Sequence, residues 1–304
     1  MSRFSNYAEL LRLPNVFTAL ADVMMGYLVV RPFDAEDGPM MALILGASAL
    51  LYCAGMVLND VCDYHLDLEE RPERPLPSGR IGRTAAARLG VVLLFCGVAA
   101  GCAAGTVSHT LWPAVVAAAL AVLILLYDIV LKPTPLGPLA MGGCRMLNVL
   151  LGMSVYPGHW HPLHWLVAAA VGTYIVGVTW FARDEAGRSR PFQLVPALIV
   201  MMTGVGLLAC LPYWSEEVQP LLQRDPQRWY LLVGLLAMLI GWRCVRAIFD
   251  PRAANVRRAV KQCLLSLIIL DAVACFSVRG QPESIAILLL LIPTFLLARL
   301  FSPT

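Results

Sequence analysis

The stretch NDVCDYHLDLEERPERPLPSGR, residues 59–80, follows directly on the apolar run MALILGASALLYCAGMVL, residues 41–58. An apolar run of about this length is what a helix needs to cross a lipid bilayer. The run ends in three aspartates at offsets of three and four, followed by acidic and basic residues. Like charges at that helical spacing repel each other, so the cluster costs stability unless a cation lies among them. The junction therefore indicates a membrane helix whose end carries a polar site.

The composition of the whole chain supports a membrane protein. Of its 304 residues, 59% are hydrophobic and 14% are charged, and the mean hydropathy is +0.72. Soluble domains carry about a quarter charged residues. The net charge of +3 is too small to indicate nucleic-acid binding. The nine cysteines are scattered singly, which predicts neither disulfides nor a zinc site. We expect one transmembrane domain over residues 1–304.

Apolar runs predict an all-α polytopic fold, a bundle of nine or ten transmembrane helices around a central cavity open toward the cytoplasmic edge. The candidate spans are 15–31, 40–59, 86–107, 111–131, 138–156, 163–182, 191–212, 229–248, 258–277 and 284–301. With the N-terminus in the cytoplasm, 18 basic residues fall on the cytoplasmic side and 4 on the other, with Arg145 inside the fifth span. Lysine and arginine prefer cytoplasmic loops. We therefore expect a multi-pass protein of the cell (inner) membrane with a cytoplasmic N-terminus.

The acidic cluster has the chemistry of a metal site. If the second span continues as a helix, Asp60, Asp63 and Asp67 share one face, and Asn59 lies one turn from Asp63. Carboxylate and amide oxygens are suitable ligands for Mg²⁺, which usually binds substrate phosphates as well. The alternative is a solvated helix end that binds nothing.

The basic residues that follow complete the pattern of a diphosphate site. Arg74 and Arg80 lie in a segment stiffened by three prolines, RPERPLPSGR. The planar guanidinium of arginine binds phosphate oxygens in bidentate fashion. Alternatively, these arginines only fix the topology or contact anionic lipid.

The run NDVCDYHLD followed by RPLPSGRI resembles the first aspartate-rich motif of the UbiA-type intramembrane prenyltransferases, with its basic loop. Members of that family commonly have nine spans, and two aspartate-rich motifs hold Mg²⁺ and the diphosphate of a polyprenyl donor. The resemblance implies metal ligands at Asn59, Asp60, Asp63 and Asp67. It also implies phosphate contacts from Arg74 and Arg80.

Two further segments match the family's order of motifs. YDIVLK, at the end of the fourth span, places Tyr127 and Lys132 where the family has a tyrosine and a basic residue. Lys132 could stabilise the diphosphate, although a lysine that extends to the membrane surface is an equally good interpretation. TWFARDEAGRSR ends the sixth span at the place of the second motif, with Asp184 as its first carboxylate. Arg188 stands where a second aspartate is expected, so we predict weaker metal binding by Asp184 and Glu185, or a direct phosphate contact from Arg188.

Polar residues inside two apolar spans are candidates for the cavity wall. Arg145 and Asn148 lie one helical turn apart in the fifth span, and charged residues at that depth usually face the bundle interior. Arg145 could bind phosphate or an acidic acceptor, or form an ion pair with Asp128 or Asp22. Asn15 shares a face with Asp22 and could line the same cavity, with a polar contact between helices as the alternative.

Together these features predict Mg²⁺-dependent transfer of a prenyl group from a polyprenyl diphosphate to an aromatic or lipid-soluble acceptor in the bilayer. Asp60, Asp63, Arg74, Lys132 and Tyr127 are the expected catalytic residues, with Tyr127 offering its ring to an allylic cation. Asn59, Arg80, Arg145, Asn148, Asn15 and Arg188 are the expected substrate contacts. Alternatives are another diphosphate donor, such as phosphoribosyl transfer to a polyprenyl phosphate, or terpenoid cyclisation. A transporter or an inactive membrane protein is a further alternative.

Overall fold

The computed structural model describes residues 3–183, 191–213 and 226–301, and within these ranges every regular element is helical. The α-helices, numbered in chain order, are α1 Arg3–Leu10, α2 Leu13–Val30, α3 Gly38–Cys62, α4 Tyr64–Glu70, α5 Arg83–Val107, α6 Trp112–Leu126, α7 Gly137–Met153, α8 Pro162–Phe181, α9 Pro191–Ala209, α10 Pro226–Phe249, α11 Ala253–Val278, α12 Gln281–Leu288 and α13 Leu291–Phe301. A π-helical turn, Tyr127–Leu131, extends α6. The predicted all-α fold is confirmed.

Nine segments of the described ranges are long and apolar enough to cross a membrane. They correspond to nine of the ten predicted spans; the last of them, Gln281–Leu300, contains both α12 and α13. The remaining predicted span, the fifth, is α7, which has only 17 residues. At about 1.5 Å per residue, α7 is roughly 26 Å long, slightly less than the hydrocarbon thickness of a bilayer. The chain is an integral multi-pass membrane protein.

The helix that carries the aspartates is interrupted once. A helix that continues through Asp67 was the condition for a shared acidic face, and it is met with one break, because α3 ends at Cys62 and α4 begins at Tyr64. Asp63 forms the joint, yet its amide still donates to Asn59 and its carbonyl still accepts from Asp67. The interruption therefore keeps the spacing of the acidic residues close to helical.

The basic loop after α4 is anchored by apolar side chains. Leu76 and Ile81 are buried in a small cluster with Leu10, Val57 and Ala86, which belong to α1, α3 and α5. Burying aliphatic side chains of this size stabilises a segment by roughly 1.5–3 kcal/mol each. The loop is thus held against the end of α3, and its arginines are brought near the aspartates.

Helices α2 and α7 pack closely because glycine leaves room for backbone contact. A Cβ atom at Gly152 of α7 would lie 2.7 Å from the amide nitrogen of Tyr27 in α2. Small residues at helix contacts allow membrane helices to approach each other in this way. The contact brings the polar residues in the middle of α2 and α7 face to face.

Candidate functional site

A large cavity lies among α2, α3, α6, α7, α8 and α11. Its volume is about 770 Å³. One part of its wall is apolar, formed by residues that include Leu51, Leu120, Ile124, Met141, Ile175 and Leu264. Another part carries the polar and charged residues Arg12, Asn59, Asp63, Asp67, Arg74, Asp128 and Lys132, and together with the adjacent Asp60 we call this part the polar end. A molecule with a greasy tail and a charged head would match this division.

Two of the predicted aspartates meet at one arginine of the basic loop. Nη1 of Arg74 donates to Oδ2 of Asp67 at 2.7 Å and lies 3.4 Å from Oδ1 of Asp60. Arg12, at the start of α2, donates to the same oxygen of Asp60 at 3.0 Å. Asp67 and Arg74 line the cavity, while the carboxylate of Asp60 lies behind them and is buried. The loop and the end of α3 are therefore joined by ion pairs at the cavity rim.

Arg12 stays charged in this setting. The surrounding protein removes part of the water around its guanidinium and so lowers the pKa, but the carboxylates of Asp60 and Asp67 raise it by more, and the net result is a pKa above the ordinary value. Its backbone has φ of 47°, in the left-handed region that is uncommon for a residue other than glycine. This conformation turns the chain between α1 and α2 and directs the side chain toward Asp60.

Asp63, the third aspartate, pairs with a residue from another part of the chain. Nζ of Lys132, just after the π-helical turn, forms an ion pair with Oδ2 of Asp63. Both side chains line the cavity. Tyr127, at the other end of the turn, also lines it and is nearly buried. The structure thus brings Asp63, Lys132 and Tyr127 to the same wall, as their predicted roles require.

Asn59 is tied to a carboxylate that sequence analysis left without a role of its own. Its Nδ2 donates to Oδ1 of Asp128 at 2.9 Å, and both residues are buried in the cavity wall. An asparagine side chain has a donor, the NH₂ group, and an acceptor, the carbonyl oxygen, which are bonded to the same carbon and point in different directions. With the nitrogen engaged by Asp128, the carbonyl oxygen is the atom left to contact a ligand.

Arg80 lies elsewhere. It donates to both carboxylate oxygens of Glu9, at 2.7 and 3.2 Å, and to the carbonyl of Glu73 at 2.6 Å. It is not among the residues that line the cavity. These contacts connect the basic loop to α1, so Arg80 holds the loop in place and its predicted phosphate contact stays a prediction.

Farther along the cavity is a second group of polar residues, Thr18, Asp22, Ser48, Arg145 and Asn148, which we call the buried network. Arg145 donates to Oδ2 of Asp22 at 2.8 Å and to Oγ1 of Thr18 at 3.1 Å. Asn148 donates to the carbonyl of Ala19 at 2.8 Å and to Oδ2 of Asp22 at 3.2 Å. Oγ of Ser48 donates to Oδ1 of Asn148 at 2.7 Å. The ion pair with Asp22, one of the two interpretations of Arg145, is confirmed.

The buried network differs in depth from the polar end. Ser48 precedes Asn59 by eleven residues on α3, which corresponds to roughly 16 Å along the helix. Asn15 lines the cavity between the two groups, as predicted, and Arg145 and Asn148 also reach its wall. Asp271 of α11 lies against Asp22, and neither of its carboxylate oxygens has a hydrogen-bond partner in the described structure.

Three of the predicted residues, Asp184, Glu185 and Arg188, lie outside the described residues. The last described residue before them, Arg183, donates to the carbonyls of Pro133 and Thr134 at 2.9 and 3.0 Å. It also lines the cavity. Arg183 therefore lies next to the loop that follows Lys132.

Sequence reasoning missed Tyr52 and gave Asp271 no role, and it noted Arg12 and Asp128 only as charged residues at or near an apolar span, without a place in the site. Tyr52 lines the cavity with the guanidinium of Arg145 5.4 Å from its ring centroid. For Arg12, Asp128 and Asp271 the available signal was their charge in or beside an apolar span, because such residues usually face the interior. Tyr52 has no such signal, since an aromatic residue in a membrane helix is ordinarily part of the apolar packing.

The polar end holds the right atoms for a hard divalent cation, in the form of carboxylates and an amide oxygen. Within the described residues, no three acidic, histidine or cysteine side chains already converge on one point. Instead each of the three aspartates meets the cationic group of Arg12, Arg74 or Lys132. The positive charge beside these carboxylates thus comes from arginine and lysine side chains. These side chains are long enough to move from a carboxylate to another anion.

The fold and the cavity together define a class of protein: a multi-helix membrane protein with an acidic and basic site at one end of an apolar cavity. The family model for the UbiA prenyltransferase family matches residues 19–268. The chain therefore belongs to the UbiA prenyltransferase family, and the resemblance found in the aspartate-rich motif is confirmed.

Two relatives and one solved structure give the extent of the likeness. The chain is 32% identical over 275 residues to digeranylgeranylglyceryl phosphate synthase of Ignicoccus hospitalis, covering 84% of this chain and 86% of the relative. It is 38% identical over 92 residues to the synthase of that name from Sulfolobus acidocaldarius, covering 30% of this chain and 33% of the relative. The chain spans about a third of the length of several such curated relatives.

A UbiA homolog from Archaeoglobus fulgidus, solved with DMAPP and Mg²⁺ bound, has a TM-score of 0.59 to this chain. The sequences are 14% identical, and the match covers 88% of this chain and 99% of the other. At this level of identity the likeness concerns the fold alone.

Proposed function

We propose that this protein transfers a prenyl group from a prenyl diphosphate, with Mg²⁺, to a lipid-soluble or aromatic acceptor inside the membrane. The observation that carries the proposal is the cavity itself, where Asp63, Asp67, Arg74 and Lys132 stand at one end of an apolar wall. Membership of a prenyltransferase family and the DMAPP and Mg²⁺ bound to the Archaeoglobus fulgidus homolog support it.

The residues at the polar end fit the metal. Asp60, Asp63 and Asp67, with the carbonyl of Asn59, would hold Mg²⁺, and Asp184 and Glu185 are proposed to add ligands from the segment after α8. When bound, the metal supplies positive charge to the diphosphate oxygens and makes the diphosphate a better leaving group. In the structure, Lys132 and Arg74 supply positive charge beside Asp63 and Asp67, where the metal would supply it.

The protein's own cations complete the stabilisation of the leaving group. Breaking the allylic C–O bond places negative charge on the diphosphate, and fixed positive charge at that position lowers the barrier. Arg74 and Lys132 are cavity-lining cations in contact with Asp67 and Asp63, the two aspartates that also line the cavity. We propose that both shift from carboxylate to diphosphate when the donor binds.

The apolar wall of the cavity acts on the prenyl chain of the donor and on the allylic cation. It holds the prenyl chain and excludes water, which would otherwise capture the allylic cation. Tyr127 presents its ring in the same cavity, where it can stabilise a cation by cation–π interaction. The acceptor's nucleophilic atom then forms the new bond to the allylic carbon and releases a proton.

The relatives' names suggest which acceptor to test first. Digeranylgeranylglyceryl phosphate synthases are named for a prenylated glyceryl phosphate product, so a lipid hydroxyl is a reasonable nucleophile here. An aromatic acceptor is the second candidate, because the cavity is large enough for a ring beside the donor.

The experiment is incubation of the purified protein, in lipid nanodiscs, with isotopically labelled prenyl diphosphates of several chain lengths. Glyceryl phosphate lipids, aromatic acids and a total lipid extract serve as acceptors, and mass spectrometry identifies whatever gains an isoprenoid. We expect a Mg²⁺-dependent product that is absent with EDTA. Release of diphosphate with no prenylated product would indicate cyclisation or hydrolysis instead.

A further inference from the structure

Asp128 is a buried acid with an unusual position in the cavity wall. It lies in the π-helical turn that ends α6, and its side chain faces the cavity next to Asn59. Among the described residues it forms no ion pair, and its Oδ2 has no hydrogen-bond partner. A buried carboxylate without a paired cation is costly. We therefore expect an interaction of Asp128 that offsets the cost of its burial.

The contact that Asp128 makes sets the orientation of Asn59. Only the NH₂ group of the Asn59 amide can donate to the carboxylate, and the distance is 2.9 Å. Turning the amide the other way would place two acceptor oxygens against each other. The carboxylate therefore engages the NH₂ group of Asn59, which cannot bind a cation, and leaves the carbonyl oxygen, which can, as the free end of the amide.

The local backbone provides this arrangement. Lys132 N donates to the carbonyl of Tyr127, an i to i+5 bond that defines a π-helical turn. Such turns are rare and occur often at functional sites. Here the turn holds Asp128 against α3 while Lys132, four residues later, reaches Asp63. One short element thus touches two of the predicted metal ligands.

We propose that Asp128 is a positioning residue for the divalent cation: it holds the Asn59 carbonyl toward the cation and adds negative charge behind it. This inference rests on the proposed function, since it concerns the same site. Carboxylates that orient a metal ligand typically contribute about 10- to 100-fold to metal affinity. The competing interpretation is a polar contact that only joins α3 to α6.

The test measures binding and requires no turnover. A prenyl thiodiphosphate that does not react is titrated onto the purified full-length protein at a series of Mg²⁺ concentrations, and the Mg²⁺ concentration that gives half-maximal binding is recorded. We expect Asp128→Leu to raise this concentration about 10- to 100-fold. We expect Asp128→Asn to raise it less than Asp128→Leu does, because the new amide oxygen can still accept from Asn59 while the negative charge is lost.

A double variant separates positioning from general damage. If Asp128 acts through Asn59, Asp128→Leu in an Asn59→Ala background adds little to the effect of Asn59→Ala alone. Asp37→Leu is the matched control, since Asp37 is a buried aspartate at the far end of α3, and it should leave the Mg²⁺ dependence unchanged. Should Asp128→Leu fail to insert, Asp128→Ala replaces it in both comparisons.

Two results would overturn the inference: Mg²⁺ dependence in Asp128→Leu equal to that of the wild type, or fully additive losses in the double variant. If the wild type itself binds the analogue without any need for Mg²⁺, the proposed function fails, and this inference fails with it. The wild-type titration therefore distinguishes the two failures.

Discussion

The polar end and the buried network contain the same kinds of side chain and yet are built differently. At the polar end the cations keep contact with solvent: the side chains of Arg12, Arg74 and Lys132 are 34%, 19% and 30% exposed. In the buried network Arg145 is 10% exposed and Asp22 is fully buried. The carboxylates of Asp60 and Asp67 are buried, so at this end only the cations reach solvent, and a partly exposed cation exchanges partners more easily than a closed pair, which is costly to break. The first region can therefore accept a charged ligand, and the second fixes the helices around it.

The largest expected effect concerns the acids of the polar end. Asp63→Ala removes a proposed metal ligand, and we expect turnover to fall on the order of 100- to 1,000-fold with the protein still inserted and folded, as for other losses of charge stabilisation. Asp34→Ala is the control, because Asp34 is exposed and precedes the start of α3, at the opposite end of that helix from Asp63. Full activity of the Asp63 variant in a steady-state assay would show that this acid does not hold metal.

A matched pair of arginine variants tests the contrast between the two regions directly. Arg145→Met leaves two buried carboxyl groups, Asp22 and Asp271, without their cation, and we expect a loss of about 3–5 kcal/mol in the free energy of unfolding. Arg74→Met should cost less than Arg145→Met, because the Arg74 side chain is 19% exposed and Asp60 keeps its ion pair with Arg12. The same variant should lower turnover on the order of 100-fold.

Denaturant titration in mixed micelles measures the stability of both arginine variants, and the prenyl-transfer assay measures their turnover. Wild-type stability in Arg145→Met, together with lost donor or acceptor binding, would mean that Arg145 serves the substrate, as one interpretation of its sequence position held. That outcome would remove the distinction between the two regions.

A smaller effect is expected where α2 and α7 meet. Gly152→Ala would place a methyl group 2.7 Å from the Tyr27 amide, so the helices must separate, at a cost of roughly 1–3 kcal/mol. Gly46→Ala is the control, because a Cβ there meets nothing within 4 Å. Thermal unfolding of the two variants side by side checks the difference. Equal stability would show that close packing of α2 on α7 does not hold the buried network together.

Much of the fold could be predicted from the sequence because bilayer-spanning helices have a length requirement that apolar runs reveal directly. The spacing of Asp60, Asp63 and Asp67 likewise predicted a polar site, since helical periodicity is a local property. The break at Asp63 could not be predicted, because no glycine or proline marks it. Whether the chain has nine membrane spans or ten depends on α7, whose 17 residues are close to the shortest helix that crosses a bilayer.

Contacts between helices were harder to predict. That Asn59 meets Asp128 depends on the register of α3 against the π-helical turn, which is set by packing across the whole bundle. The different contacts of Arg74 and Arg80 depend on how Leu76 and Ile81 anchor the basic loop. Arg145 was correctly paired with Asp22 as one of two alternatives, because a buried charge in a membrane must find a partner and few acids were available.

The central claim is that the aspartates at the polar end hold the diphosphate of a prenyl donor through a divalent cation. Equilibrium binding of the unreactive prenyl thiodiphosphate to wild-type protein and to Asp63→Ala, with Mg²⁺ and with EDTA, tests it most directly. The account predicts binding by the wild type that requires Mg²⁺ and is lost in the variant. Equal binding by both proteins, or binding by the wild type that persists in EDTA, would contradict it.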